Sequence, residues 1–122
     1  MKNATLEMTK SSVKDIVDNN EIVFVDFWAS WCGPCKMFGP IFEAAATRHT
    51  DVAFAKVDTE AQQELAAEFG IRSIPTLGIF RDGVLLFLQP GMVPAESLDD
   101  LVGQVKGLDM DEVRKEIKEK AA

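Results

Sequence analysis

The sequence predicts an α/β domain: a central mixed β-sheet of about five strands, flanked by helices on both faces and followed by an extra C-terminal helix. Three observations carry this expectation. The segment from Glu21 to Trp28 is apolar on both alternating sets, as in a strand covered on two sides. Strand-like and helix-like periodicities alternate along the chain. Arg81-Asp82-Gly83 separates two β-rich runs and signals an antiparallel hairpin.

The elements follow in order. A short strand is expected around Thr5–Met8. Thr9 to Ser12 supply N-cap hydroxyls for a short amphipathic helix carrying Val13, Ile16 and Val17. The central strand comes next. After it, Met37, Phe38, Ile41, Phe42 and Ala45 give a broad apolar stripe on a helix that Pro40 should kink. Val52–Val57 reads as a strand, and Thr59–Phe69 as a helix closed by Gly70. Thr76–Phe80 and Val84–Leu88 form the hairpin, which Gln89-Pro90-Gly91 ends. Strands joined through helices should be parallel, leaving the hairpin to supply the antiparallel edge. Leu98, Leu101, Val102 and Val105 mark a further helix.

From Asp111 to Lys120 the chain carries four acidic and four basic residues, so the formal charge of −7 lies on residues 1–110. Asp111/Lys115 and Glu116/Lys120 are spaced as helical ion pairs, and Met110, Val113 and Ile117 as a narrow apolar seam. A solvated terminal helix and a docking handle for a partner or a second copy of the chain are the two readings of this tail.

Composition narrows the function. With 122 residues the chain is sized for one domain, and 47% apolar against 27% charged residues is ordinary for a globular protein. Twenty acidic against thirteen basic residues repel phosphate backbones and anionic lipid, so neither nucleic acid nor membrane is an expected partner. No segment approaches the roughly 18–20 apolar residues of a membrane span. Met1 to Asn20 holds no secretory apolar run, and the expected location is the cytoplasm.

The only cysteines are Cys32 and Cys35. Two cannot make a disulfide scaffold, and in a reducing compartment such a pair is catalytic or metal-binding. Cys32 is placed at the N-cap of the helix after the central strand, with Gly33 and Pro34 in its first turn, where proline forfeits no hydrogen bond. The unpaired N–H groups and partial positive charge of a helix N-terminus stabilise a thiolate at Cys32, while Cys35 lies one turn deeper. Such asymmetry suits thiol–disulfide exchange: Cys32 attacks, and Cys35 resolves the mixed disulfide. The competing reading is half of a zinc site. It lacks ligands, since His49 is the only other soft donor and falls at the far end of the same helical pattern, so no metal is expected.

Asp26 interrupts an apolar strand and by period two shares a face with Ile22, Phe24 and Trp28. Burial there should raise its pKa. It is either a structural acid paired with a base or the proton acceptor for Cys35, and the second is favoured beside a reactive thiol. Lys56 in the neighbouring strand is its candidate charge partner. Pro75 either starts an edge strand or follows a cis peptide bond.

Val25-Asp26-Phe27-Trp28-Ala29-Ser30-Trp31-Cys32-Gly33-Pro34-Cys35-Lys36 closely resembles the active-site segment of thioredoxins. Pro40, Lys56-Val57-Asp58, Phe69-Gly70-Ile71-Arg72, Ile74-Pro75-Thr76, Phe80 with Asp82-Gly83, and Gly91 match in the expected order, over roughly residues 5–106. The resemblance implies the thioredoxin fold over a domain of residues 1–107, with a charged helical extension at 108–122. It implies a protein-disulfide reductase with Cys32 as exposed nucleophile, Cys35 as buried resolving thiol, and Asp26 as acid/base tuned by Lys56. Pro75 would be cis and packed on the disulfide, its loop pairing with substrate backbone. Trp31, Gly33, Pro34, Ile74, Pro75 and Gly91 would form the substrate-binding patch. No cofactor beyond the Cys32–Cys35 disulfide is implied. Electrons would come from a thioredoxin reductase, and the protein would act as a monomer in cell redox homeostasis. A thioredoxin-like binding or co-chaperone module using the tail, and a thiol oxidase or isomerase, are the alternatives. Gly33-Pro34 lacks the histidine usual in the oxidising members. Departures from the family pattern are Ser73 in place of Gly, Pro90-Gly91-Met92 in place of Val-Gly-Ala, and the tail beyond Gly107.

Overall fold

The central strand, β2 (Ile22–Trp28), forms because its seven residues are β-branched or aromatic at nearly every position, and all but Trp28 are fully buried. The computed structural model describes residues 4–121; the first three residues and the last, which the expected domain boundaries include, lie outside it. Around β2 stand β1 (Leu6–Glu7), α1 (Val13–Asn19), α2 (Gly33–Arg48), β3 (Ala53–Asp58), α3 (Gln63–Glu68), β4 (Thr76–Arg81), β5 (Val84–Pro90), α4 (Ala95–Lys106) and α5 (Met110–Ala121). The sheet has five strands in the order β1-β3-β2-β4-β5.

β1 and β2 both run parallel to β3, as helix-linked strands should. The antiparallel half is larger than expected. β4 is already antiparallel to β2, with Asp26 opposite Leu77, and β5 continues the hairpin from β4. The direction of β4 could not be read from pattern. Its residues from Thr76 to Phe80 are buried on both faces, and a doubly buried strand has no periodicity that differs between the two directions.

The two faces of the sheet carry separate cores. Ile22, Phe24, Leu77 and Ile79 pack with Phe38 and Phe42 of α2 and with Leu98, Val102 and Val105 of α4. Val23, Val25, Phe27 and Phe80 pack on the other face with Leu65 of α3, and α1 covers them through Val13, Ile16 and Val17. Each large apolar side chain fully buried in this way contributes about 1.5–3 kcal/mol relative to exposure.

Several boundaries move for local reasons. The Ser12 hydroxyl does not cap α1; its oxygen accepts the Thr9 N–H at 2.9 Å. α3 starts four residues later than expected because the Asp58 carboxylate accepts the N–H groups of Glu60 and Ala61, at 3.0 and 3.3 Å, and holds that stretch as a turn. β5 runs through Pro90 instead of ending before it. β5 is an edge strand, where a missing N–H is tolerated, and the stop falls at Gly91 with φ +98°. α2 continues on both sides of Pro40.

α5 is seated on the end of the molecule by three contacts. Asp109 caps it, accepting the Asp111 and Glu112 N–H groups at 3.0 and 3.2 Å. Met110 is buried, and Arg114 lies 3.7 Å from Asp82 in the β4–β5 turn. The Arg81 guanidinium fastens the preceding junction, donating to the carbonyls of Val105, Lys106 and Leu108 at 2.6, 3.2 and 2.8 Å. The apolar seam is buried only at its start: Ile117 is 47% exposed. Within this helix the ion pair joins Arg114 to Asp111 at 2.9 Å, in place of the expected pairs to Lys115 and Lys120.

Candidate functional site

The C-terminal end of β2 leads, through the short segment 29–32, into the N-terminus of α2. Cys32 is the N-cap, with extended backbone, and its sulfur accepts the N–H of Cys35 at 3.2 Å. Gly33 and Pro34 form the exposed first turn. Cys32 and Cys35 are joined as a disulfide with Cα atoms 5.2 Å apart. The Cys32 sulfur also lies 3.6 Å from the carbonyl oxygen of Ile74, in the loop that leads into β4.

The expected contrast between an exposed Cys32 and a buried Cys35 is absent from this oxidised form: both residues are 4% exposed. Each sulfur covers the other, and the Ile74 loop closes over Cys32. The two differ in what they face. Cys32 lies at the helix tip against Ile74, whereas Cys35 lines a cavity of about 230 Å³ with Trp28, Gly39, Glu43 and Lys56.

The surface around the pair is apolar and uneven. Trp31 is 67% exposed, and its indole N–H donates to Glu60 at 2.5 Å. Gly33, Pro34 and Gly91 are exposed and Ile74 is half-buried. The Ile74–Pro75 peptide is cis, as the resemblance implied. Pro75 itself is buried, and its carbonyl accepts the Gly91 N–H at 2.8 Å and ties the two loops together. Met37 and Met92 add exposed apolar surface, 64% and 38% exposed. A hollow of about 290 Å³ opens beside Trp31 and Ile74.

Asp26 is fully buried on the α2 face of the sheet, and neither carboxylate oxygen has a hydrogen-bond partner. Burial raises its pKa from 3.8 to about 7, against the opposing charge of Lys56 and with that of Glu43. Register places Lys56 directly opposite Asp26, yet the Lys56 ammonium pairs with Glu43 at 3.0 Å and sits 5.2 Å from the centroid of the Trp28 ring. Glu43 was missed as a neighbour of this acid. A signal for Glu43 existed, since Cys35, Gly39 and Glu43 follow at four-residue steps along one side of α2. His49 is the C-cap of α2 and contacts Asp99 at 2.7 Å, far from the cysteines in the helix. Among the described residues no cluster of acidic, histidine and cysteine side chains could hold a metal ion.

A two-residue-spaced cysteine pair joined as a disulfide, one member of it at a helix N-terminus, is the arrangement of a thiol–disulfide oxidoreductase. Comparison with known proteins agrees. The family model described as Thioredoxin matches residues 4–106. A Streptomyces coelicolor relative bearing a thioredoxin 2 name is 56% identical over 119 residues, spanning 98% of this chain and 89% of its own. The thioredoxin of Mycobacterium tuberculosis is 49% identical over 84 residues, spanning 67% of this chain and 72% of its own. A solved variant of the Halobacterium salinarum thioredoxin superposes with a TM-score of 0.80 at 34% identity, covering 89% of this chain and 97% of that one. The chain belongs to the thioredoxin family and is a protein-disulfide reductase.

Proposed function

We propose that the protein reduces disulfides of target proteins in two thiol-exchange steps that begin at Cys32. The Cys32 thiolate attacks one sulfur of the target disulfide. A Cys32–target mixed disulfide forms, and the other target sulfur leaves as a thiolate that takes up a proton. Cys35 then loses its proton to the Asp26 carboxylate and attacks the Cys32 sulfur. The Cys32–Cys35 disulfide forms and the second target thiol is released. Two electrons pass from the dithiol to the target, and no cofactor is needed beyond the cysteine pair.

The observation that carries this reading is the position of Cys32 at the α2 N-cap, its sulfur accepting the Cys35 N–H at 3.2 Å. That donor and the positive end of the helix both favour a thiolate at Cys32. Cys35 faces the cavity instead, which has room for water beside its sulfur. With a pKa of about 7, Asp26 both accepts and returns a proton near neutral pH, as a general base must. Lys56 tunes it by charge.

Targets dock on Trp31, Gly33, Pro34, Ile74, Pro75 and Gly91, with the backbone around Ile74 pairing to an extended target segment. The reduced pair is regenerated by a thioredoxin reductase, making the protein an electron carrier in cell redox homeostasis. It works as a cytoplasmic monomer; no helix among the described residues is long and apolar enough to cross a membrane. The catalytic domain is residues 1–107, and residues 108–122 are a helical extension.

Turnover of insulin disulfides by the dithiol form tests the reading. Activity above a Cys32→Ser control is expected, and Asp26→Asn should slow resolution near neutral pH more than the first attack. Equal activity in the Cys32→Ser control would overturn the assignment of the nucleophile.

A further inference from the structure

Asp26 and Lys56 are opposed in register on adjacent strands and point to the same face of the sheet. Opposite charges so placed normally pair. Here they do not: both Asp26 oxygens are buried without a partner. The Lys56 ammonium is drawn outward instead. It meets the Glu43 carboxylate at 3.0 Å and the Trp28 ring at 5.2 Å, and it lies where a Cβ on Gly39 would be 3.7 Å away. Glu43 and Gly39 of α2 and Trp28 of β2 therefore surround it, on the wall of the cavity that also contains Cys35.

We propose that Glu43 is a positioning residue for the resolving step, which keeps Lys56 on the α2 side of the cavity and so leaves the Asp26 carboxylate unpaired and free to receive the Cys35 proton. The inference rests on the reading of Asp26 as proton acceptor. An Asp26 closed into an ion pair with Lys56 would ionise at lower pH and be a weaker base. The charged groups on this face are few. Lys56 comes from β3, Glu43 and the rim residue Lys36 from α2, and Glu7 and Asp58 flank Lys56 on the outer side, while the β4 neighbour of Asp26 is the apolar Leu77. Glu43 is the group bonded to the Lys56 ammonium, so it controls where that charge rests.

The test is the titration of the Asp26 carboxyl carbon by NMR in oxidised wild type and Glu43→Gln, with the pH profile of mixed-disulfide resolution measured beside it. In Glu43→Gln the Asp26 midpoint should fall by about half a pH unit or more, the scale expected of one neighbouring charge. The resolution profile should move the same way, and Glu43→Asp should restore both in part. In a Lys56→Met background the effect of Glu43→Gln should shrink by more than half. An unchanged midpoint in Glu43→Gln would overturn the proposal, and so would an equal shift with and without Lys56, which would mean that Glu43 acts by its own charge alone. The Asp26→Asn variant separates the two levels. Resolution as fast as wild type in that variant overturns the proton-acceptor reading and the catalytic consequence drawn here, while the dependence of the midpoint shift on Lys56 decides whether Glu43 positions Lys56.

Discussion

Replacing Asp26 with Asn removes a fully buried carboxyl while keeping its size, and the consequence for stability can be worked from the structure. The folded carboxyl titrates at about 7 against an ordinary value of 3.8, because burial opposes its charge. The folded state thus holds this proton more tightly than the unfolded chain. Below about pH 4 both states are protonated and the group imposes no penalty. As pH rises toward 7 the unfolded chain releases the proton first and stability falls; above 7 the full penalty is present. A displacement of about three pH units at roughly 1.4 kcal/mol each gives about 4 kcal/mol. Oxidised Asp26→Asn should therefore gain about 4 kcal/mol over wild type on going from pH 4 to pH 8, with most of the gain between pH 5 and 7. Urea unfolding of both proteins across that range, with the disulfide intact so that no thiol titrates, measures it. A stability difference that is flat with pH, or that grows toward acid, would refute the assignment of a raised pKa to this carboxyl.

Two further substitutions probe the fold. Phe54→Ala removes a ring packed against Phe24 and Phe42, at centroid distances of 5.3 and 5.1 Å, and should cost about 3–5 kcal/mol in urea unfolding. Met110→Ala should cost about 2 kcal/mol or more if α5 is seated by its buried side chain, while leaving insulin reduction unchanged. A loss no larger than that of an exposed residue would mean that α5 is held by Asp109 and Arg114 alone.

Much of the fold was written in local pattern. The doubly apolar run from Glu21 to Trp28 could only be a covered strand, and the parity of Asp26 within it placed a carboxyl on the α2 face, where it lies. The cysteine spacing likewise located the N-cap. What pattern did not contain was direction and long-range pairing. β4 has buried side chains on both faces, so nothing in its sequence says that it runs antiparallel to β2. The equal burial of Cys32 and Cys35 follows from their bond and from a loop some forty residues on, which spacing within one helix cannot reveal. Lys56 was expected against Asp26, and register agrees, but its choice of Glu43 depends on where α2 passes over β3. Sequence periodicity fixes which residues share a face; competition among neighbours on that face is settled only by packing.

The central claim, that Cys32 attacks and Cys35 resolves, is tested most directly by trapping. Reduced Cys35→Ser and Cys32→Ser variants are mixed with a disulfide-bonded protein and the covalent adducts quantified after acid quench. The account predicts a stable mixed disulfide through Cys32 in Cys35→Ser and little or none in Cys32→Ser. Adducts of similar yield and rate in both variants would contradict it.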